Sequence, residues 1–198
     1  LELYFAAPRT GRVLHTLNIR LFPEQLTYIV NHADDEVIFV DRSLLPVLAP
    51  LLPTFERLRH LVLIDDGDGD IPDDLSGFEL LNYEELLAGS SPIEWKPVDE
   101  HRAASMCYTS GTTGNPKGVV YSHRSTFLHT MGTMTADSLG ARESDVVLPV
   151  VPMFHANAWG LAHAGVATGA KMVMPGADLS GRALANLIVE ERVSLAAG

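Results

Sequence analysis

Tyr108-Thr109-Ser110-Gly111-Thr112-Thr113-Gly114-Asn115-Pro116-Lys117-Gly118 is the stretch around which the chain is organised. It gathers four serine and threonine hydroxyls, three glycines and a lysine into one short segment. An apolar run, Ala103 to Tyr108, leads into it and a second, Val119 to Tyr121, leads out. That placement predicts a loop joining two extended segments. Glycines let backbone N–H groups turn inward and approach a ligand, hydroxyls add donors, and the lysine adds a positive charge. Together these suit a polyphosphate. The spacing is not that of a P-loop, because two residues rather than four separate Gly111 from Gly114, and Lys117 is followed by Gly118 instead of a hydroxyl residue. A flexible linker is the competing reading. Pro116 and the flanking apolar runs oppose it.

Working outward, the pattern is that of alternating strands and helices. Pro23 opens a predicted helix to His32, with Leu26, Ile29 and Val30 on one face. Glu36–Asp41 and His60–Asp65 are β-branched and apolar enough to be buried strands. Between them, leucines interrupted by Pro46, Pro50 and Pro53 predict a broken helix. Tyr83–Ala88 is a short helix capped by Asn82. After the loop, Ser122 or His123 caps a helix to about Leu139, with Phe127, Leu128, Met131, Met134 and Leu139 as its core-facing stripe. Asp145–Val151 and Lys171–Met174 are strands, and a helix is predicted from His155 to about Thr168, ended by Gly169. Ser180–Glu191 is a helix with Leu184, Leu187 and Ile188 inward, and Val193–Ala197 begins a further strand. The expected class is α/β, with a mainly parallel sheet flanked by helices.

Composition bounds the function. The chain has 198 residues, 46% of them apolar, and a net charge of −11. Such an acidic chain disfavours nucleic acid as a partner. The single cysteine, Cys107, excludes an internal disulfide and is expected to be a buried, inert thiol in a reducing compartment. No stretch is long and apolar enough to predict a membrane span. The acidic segment Asp65–Asp74 has Asp66, Asp68 and Asp70 at calcium-loop spacing, but Ile71 and Gly77 stand where Gly and Glu are required, so a solvated turn is preferred.

A second motif, Pro152-Met153-Phe154-His155-Ala156-Asn157-Ala158-Trp159, falls at a predicted strand-to-helix junction, where parallel sheets bind ligands. In a helix, His155 and Trp159 would share one face.

The Tyr108–Gly118 stretch resembles the signature loop of the adenylate-forming superfamily, which includes the acyl-CoA synthetases, the adenylation domains of peptide synthetases and the luciferases. The Phe-His-x-x-x-Trp form, Val13–Leu26 and Val30–Asp35 resemble the fatty acyl-CoA synthetases in particular, so the likeness spans nearly the whole chain. Asn115 departs from it, standing where a more apolar residue is frequent. The resemblance implies that residues 1–198 are part of a large N-terminal nucleotide- and acyl-binding domain, truncated at both ends. The adenine, ribose and C-terminal lysine motifs of the superfamily are not found in this sequence, and the stretch alone is expected to be inactive.

The resemblance implies ATP with Mg²⁺, a fatty acid and CoA as ligands. Thr109, Ser110, Gly111, Thr112, Thr113, Gly114 and Lys117 would hold the phosphates, and Thr109 would also contact Mg²⁺. Lys117 and His155 would be catalytic, and His155, Ala156 and Trp159 would line the substrate, with the indole closing the acyl tunnel. The resemblance fits the cytoplasm and allows a membrane surface or a homodimer. A carrier protein in place of CoA, or a non-catalytic nucleotide-binding module, are the alternatives.

Overall fold

The structure is a computed structural model that describes residues 1–109 and 114–198. In chain order its elements are α1 (Glu2–Arg9), β1 (Leu14–His15), α2 (Pro23–His32), β2 (Val37–Asp41), α3 (Leu45–Leu48), β3 (His60–Ile64), β4 (Leu80–Asn82) and α4 (Tyr83–Ala88). There follow β5 (Ala103–Thr109), β6 (Lys117–Ser122), α5 (His123–Thr133), β7 (Val146–Pro149), α6 (Leu161–Thr168), β8 (Lys171–Met172), α7 (Gly181–Glu190) and β9 (Leu195–Ala197).

The expected parallel α/β pattern is present, but as three small sheets rather than one. Their strand orders are β1-β5-β6, β2-β3-β4 and β8-β7-β9. The pairings β1–β5, β2–β3, β3–β4, β7–β8 and β7–β9 are all parallel. Parallel neighbours need crossover connections; helical stretches supply three of them, and residues 65–79 join β3 to β4 without a helix. The broken helical segment that holds α3 joins β2 to β3, α6 joins β7 to β8, and α7 joins β8 to β9.

The chain divides into two compact units. One comprises Leu1–Leu17, Trp95–Thr109 and Val119–Gly198; the other comprises Asn18–Glu94 with residues 114–118. In the second, Ile29, Val30, Leu45, Leu52 and Leu61 are buried almost completely. In the first, Val147, Val151, Ala158 and Leu161 form a core cluster, joined by Met153, Met172 and Leu195. Burying each large aliphatic side chain contributes about 1.5–3 kcal/mol.

The helix boundaries follow their capping residues. Asn82 Oδ1 accepts from the Glu85 N–H at 3.1 Å, Ser122 Oγ from the Ser125 N–H at 3.1 Å, and Ser180 Oγ from the Ala183 N–H at 3.3 Å. Gly169 takes a left-handed φ of 75° and closes α6 as expected. In the acidic segment, Asp66 accepts from the Ser43 N–H and hydroxyl at 3.2 and 2.6 Å, and Asp65 from the Gly67 N–H at 2.9 Å. Asp65 thereby folds the turn onto its own backbone, and Asp66 ties the turn to Ser43.

Two expected helix faces are corrected. Helix α5 stops at Thr133 rather than near Leu139, and Phe127, Leu128 and Met131 are exposed instead of packed. The buried positions are Thr130 and Thr133. Their hydroxyls donate to the carbonyls of Thr126 and His129, both at 2.8 Å, which removes the penalty for burying them. A threonine face therefore displaced the methionine and phenylalanine stripe. On α7, Leu184 and Leu187 are half-buried while Ile188 is exposed.

Candidate functional site

The glycine-rich sequence falls between two strands, as its flanking sequence predicts. Thr109 ends β5 and Lys117 begins β6, and the two strands are neighbours in one sheet. Along β5, Ala104, Ser105 and Cys107 are buried, and Thr109 emerges exposed. Cys107 is a free, buried thiol whose Sγ lies 3.8 Å from the Tyr121 hydroxyl. Burial, and then that thiol, push the Tyr121 hydroxyl above its ordinary pKa. Pro116 is buried just before the exposed Lys117, which fixes where the strand resumes. Ser110, Gly111, Thr112 and Thr113 lie outside the described residues.

The donor set at the loop's described ends is one hydroxyl and one ammonium. A hydroxyl oxygen is a hard ligand of the kind Mg²⁺ takes, and Mg²⁺ is commonly held by few protein groups together with substrate phosphates. Thr109 therefore fits a role beside a phosphate-chelated Mg²⁺ but could not hold the ion by itself.

The second motif does not form the predicted helix. Ala156, Asn157, Ala158, Trp159 and Gly160 have φ of 44°, 50°, 53°, 52° and 77°, so the chain makes a left-handed turn before α6 starts at Leu161. This corrects the expected shared helix face of His155 and Trp159, because a left-handed turn directs side chains differently from an α-helix. Each non-glycine residue in this conformation costs roughly 1–2 kcal/mol. Strain of this kind persists only where the surroundings over-determine it.

The surroundings are specific. The Asn157 side-chain amide donates to Ser105 Oγ at 2.8 Å, with both residues buried. The Thr16 hydroxyl donates to Asn157 Oδ1 at 3.3 Å. Ala158 is fully buried in the core cluster, and its N–H donates to the His155 carbonyl at 3.0 Å. At Gly160 a Cβ would lie 2.6 Å from His129 Nδ1, so the close approach to α5 requires glycine as much as the φ does. His155 and Trp159 stand exposed amid these buried neighbours, and Ala156 is half-buried. Sequence periodicity missed Asn157, Ser105 and Thr16. The available signal was a lone asparagine, a residue that tolerates left-handed φ, three positions before a glycine in an apolar stretch.

The same unit contains a cavity of about 340 Å³. Tyr4 and Phe5 of α1, Ser105 of β5, Phe127 and Met131 of α5, and His163 of α6 are among its walls. Burial, and then the neighbouring His129, lower the His163 pKa below the usual imidazole range. Neither His155 nor Trp159 lines this cavity. Among the described residues, no helix is long and apolar enough to cross a membrane.

Comparison with known proteins places these features in context. The family described as AMP-binding enzyme matches residues 1–198. The 3-methylmercaptopropionyl-CoA ligase of Ruegeria lacuscaerulensis is 50% identical over 100% of this chain and 36% of its own length. The medium-chain-fatty-acid–CoA ligase of Ectopseudomonas oleovorans is 47% identical, again over 100% of this chain and 36% of its own length. The chain thus spans about a third of the length of these curated relatives. Among solved structures, an inhibitor-bound N-terminal domain of a Mycobacterium tuberculosis protein superimposes with a TM-score of 0.72 at 24% identity, covering 98% of this chain and 45% of that one. That likeness establishes the fold.

Proposed function

The chain belongs to the AMP-binding enzyme family, and we propose that it is part of an AMP-forming acyl-CoA ligase. In the first step of the proposed reaction, a carboxylate oxygen attacks the α-phosphorus of ATP, and the bond to the β-phosphate bridging oxygen breaks. The products are acyl-AMP and pyrophosphate. In the second, the CoA thiol attacks the acyl carbon, loses its proton, and AMP departs with the bonding pair. The observation that carries this reading is the hydroxyl-, glycine- and lysine-rich sequence between the end of β5 and the start of β6, in a chain 47–50% identical to two CoA ligases along its whole length. Both named relatives use CoA, which favours CoA over a carrier protein as acceptor.

A carboxylate is ionised at neutral pH, so the first step needs no general base. It needs charge neutralisation and alignment. Lys117 and the loop hydroxyls would neutralise the β- and γ-phosphates. Thr109 would contact the Mg²⁺ that arrives with ATP, and that ion would supply further charge neutralisation there. His155, Ala156 and Trp159 would face the nucleotide and acyl group from the left-handed turn. A fatty acid is the proposed carboxylate, consistent with one relative's name; a short thioether acid, as in the other's, is the variant to compare.

The test uses the protein at the length of its relatives, with Mg-ATP and octanoate, palmitate or 3-(methylthio)propionate. Carboxylate-dependent pyrophosphate release followed by CoA-dependent AMP release is the expected result. Release of pyrophosphate that no carboxylate stimulates would remove the ligase reading.

Trp159 gives a sharper expectation. The residue is 42% exposed, so truncation leaves no enclosed core cavity. Trp159→Ala should cost less than the roughly 3–5 kcal/mol of truncating a core tryptophan. It should shift the preference between octanoate and palmitate by roughly tenfold. Paired thermal melts and acyl-AMP formation rates measure both, and an unmoved preference would take Trp159 out of the acyl site.

A further inference from the structure

We propose that Asn157 is a positioning residue that fixes the Trp159-bearing turn to the strand leading into the phosphate loop. The proposal rests on the ligase reading only for what the turn faces; the clamp itself is a matter of geometry.

Three observations converge on it. First, Ala156 to Trp159 all hold positive φ, and two of these residues are alanines and one a tryptophan, none of which prefers that conformation. Local preference therefore does not explain the turn, and something outside it must. Second, the one polar side chain buried within the turn is Asn157, and it bonds to remote parts of the chain, Ser105 on β5 and Thr16 just beyond β1. The partners use both ends of the amide: its NH₂ donates to Ser105 Oγ and its oxygen accepts from the Thr16 hydroxyl. Strands β1 and β5 pair in parallel, with Leu14 opposite Ser105, so one anchor lies in this sheet and the other follows its edge strand directly. Third, Ser105 and Thr109 are four residues apart on β5. Alternation puts them on the same face of the strand, about 13 Å apart. The clamp thus joins the turn carrying Trp159 to the strand whose last residue opens the phosphate loop.

The consequence is a division of labour. A carboxylate must meet the α-phosphorus in line with the departing pyrophosphate, and a displacement of about 1 Å is enough to slow such a reaction strongly. Thr109 and Trp159 would each touch a different substrate. Asn157 touches neither and holds their supports in one frame. Asn157→Asp keeps the shape and the acceptor oxygen but removes the NH₂ donor to Ser105 and introduces a charge. Asn157→Ala removes both bonds. Ser105→Ala removes one bond and leaves Asn157 itself in place.

The 198-residue chain has two tryptophans, Trp95 and Trp159. In a Trp95→Phe background Trp159 is the sole indole, and its near-ultraviolet circular dichroism reports how rigidly the turn is held. This readout needs no ligase activity, so its failure is distinct from failure of the ligase reading. Asn157→Ala and Ser105→Ala should each lose most of the indole signal while the far-ultraviolet spectrum is kept. The two changes combined should have no greater effect than Asn157→Ala alone. If Asn157→Ala fails to fold, Ser105→Ala alone decides between the outcomes. In the ligase of full length, Ser105→Ala and Asn157→Asp should lower kcat for acyl-AMP formation by roughly tenfold, with the KM for ATP held within about twofold. An unchanged indole signal in a folded Ser105→Ala chain would overturn the clamp. An altered signal with an unaltered kcat would overturn its positioning role.

Discussion

Lys117→Ala, made in the ligase at the length of its relatives, is expected to slow pyrophosphate release by about 100-fold or more. Lys117 opens β6, is exposed, and follows the buried Pro116. The backbone is therefore anchored on the loop side while the side chain stands at the surface. In the proposed first step, negative charge accumulates on the departing pyrophosphate. A cation already aimed at that charge stabilises the transition state more than the ground state, and only such differential binding raises kcat. The kinetic pattern is thus part of the expectation. A loss confined to the KM for ATP would make Lys117 a binding group of uniform effect, whereas a loss in kcat marks transition-state stabilisation. Because the side chain is exposed, stability should change by no more than about 0.5 kcal/mol, so inactivity could not be assigned to unfolding. Lys117→Arg keeps the charge but replaces a compact ammonium with a planar fork, and partial recovery is expected. A rate for Lys117→Ala equal to that of the unmodified enzyme would remove Lys117 from the mechanism.

The part of the fold legible in the sequence is the part ruled by local chemistry. Helix α2 runs from Pro23 to His32 as predicted, because proline is pre-organised for the first turn and Leu26, Ile29 and Val30 supply the buried face. Strands β2 and β3 follow from their β-branched and leucine-rich runs, and Asn82 and Ser122 cap the helices they precede. The loop between β5 and β6 was visible because glycine, proline and hydroxyl residues interrupt two apolar runs. The errors fall where tertiary contacts outweigh periodicity. A window over 155–168 sees histidine, tryptophan and alanines at helical spacing. It cannot see that Asn157 is held by Ser105, 52 positions earlier, or that Gly160 lies against His129. Likewise, the phenylalanine and methionine stripe on α5 is a sound amphipathic pattern, yet Thr130 and Thr133 occupy the buried side because their hydroxyls are satisfied by the helix itself. The site followed the same division. The place of the glycine-rich sequence between two strands was readable from composition, and the support of the turn was not, since it consists of three polar side chains far apart in sequence.

The second large effect is expected one step beyond that turn. Leu161 is the first residue of α6 and is fully buried, in a cluster with Val147, Val151 and Ala158. Leu161→Ala should cost about 2–5 kcal/mol, the lost transfer energy plus that of the cavity left behind. Ala158 belongs to the strained turn and packs in the same cluster, so Leu161 also helps to hold the left-handed backbone in place. Relaxation of Ala158 into the new cavity would have to move the strained residues beside it. The upper half of the range is therefore expected. For a chain of 198 residues each kcal/mol lowers the melting temperature by roughly 2–4 °C. Leu161→Met, which nearly conserves volume, should cost less than about 1.5 kcal/mol. Trp159 stands only two positions earlier, and the contrast between the two sites separates packing from substrate contact. Leu161→Ala should depress the melting temperature strongly and leave the order of acyl preference alone in the enzyme that remains folded. Trp159→Ala should do the reverse. Thermal melts of both variants beside the unmodified protein decide the matter. A Leu161→Ala chain that melts within about 2 °C of the parent would mean that this cluster is not what holds α6 and the turn in place.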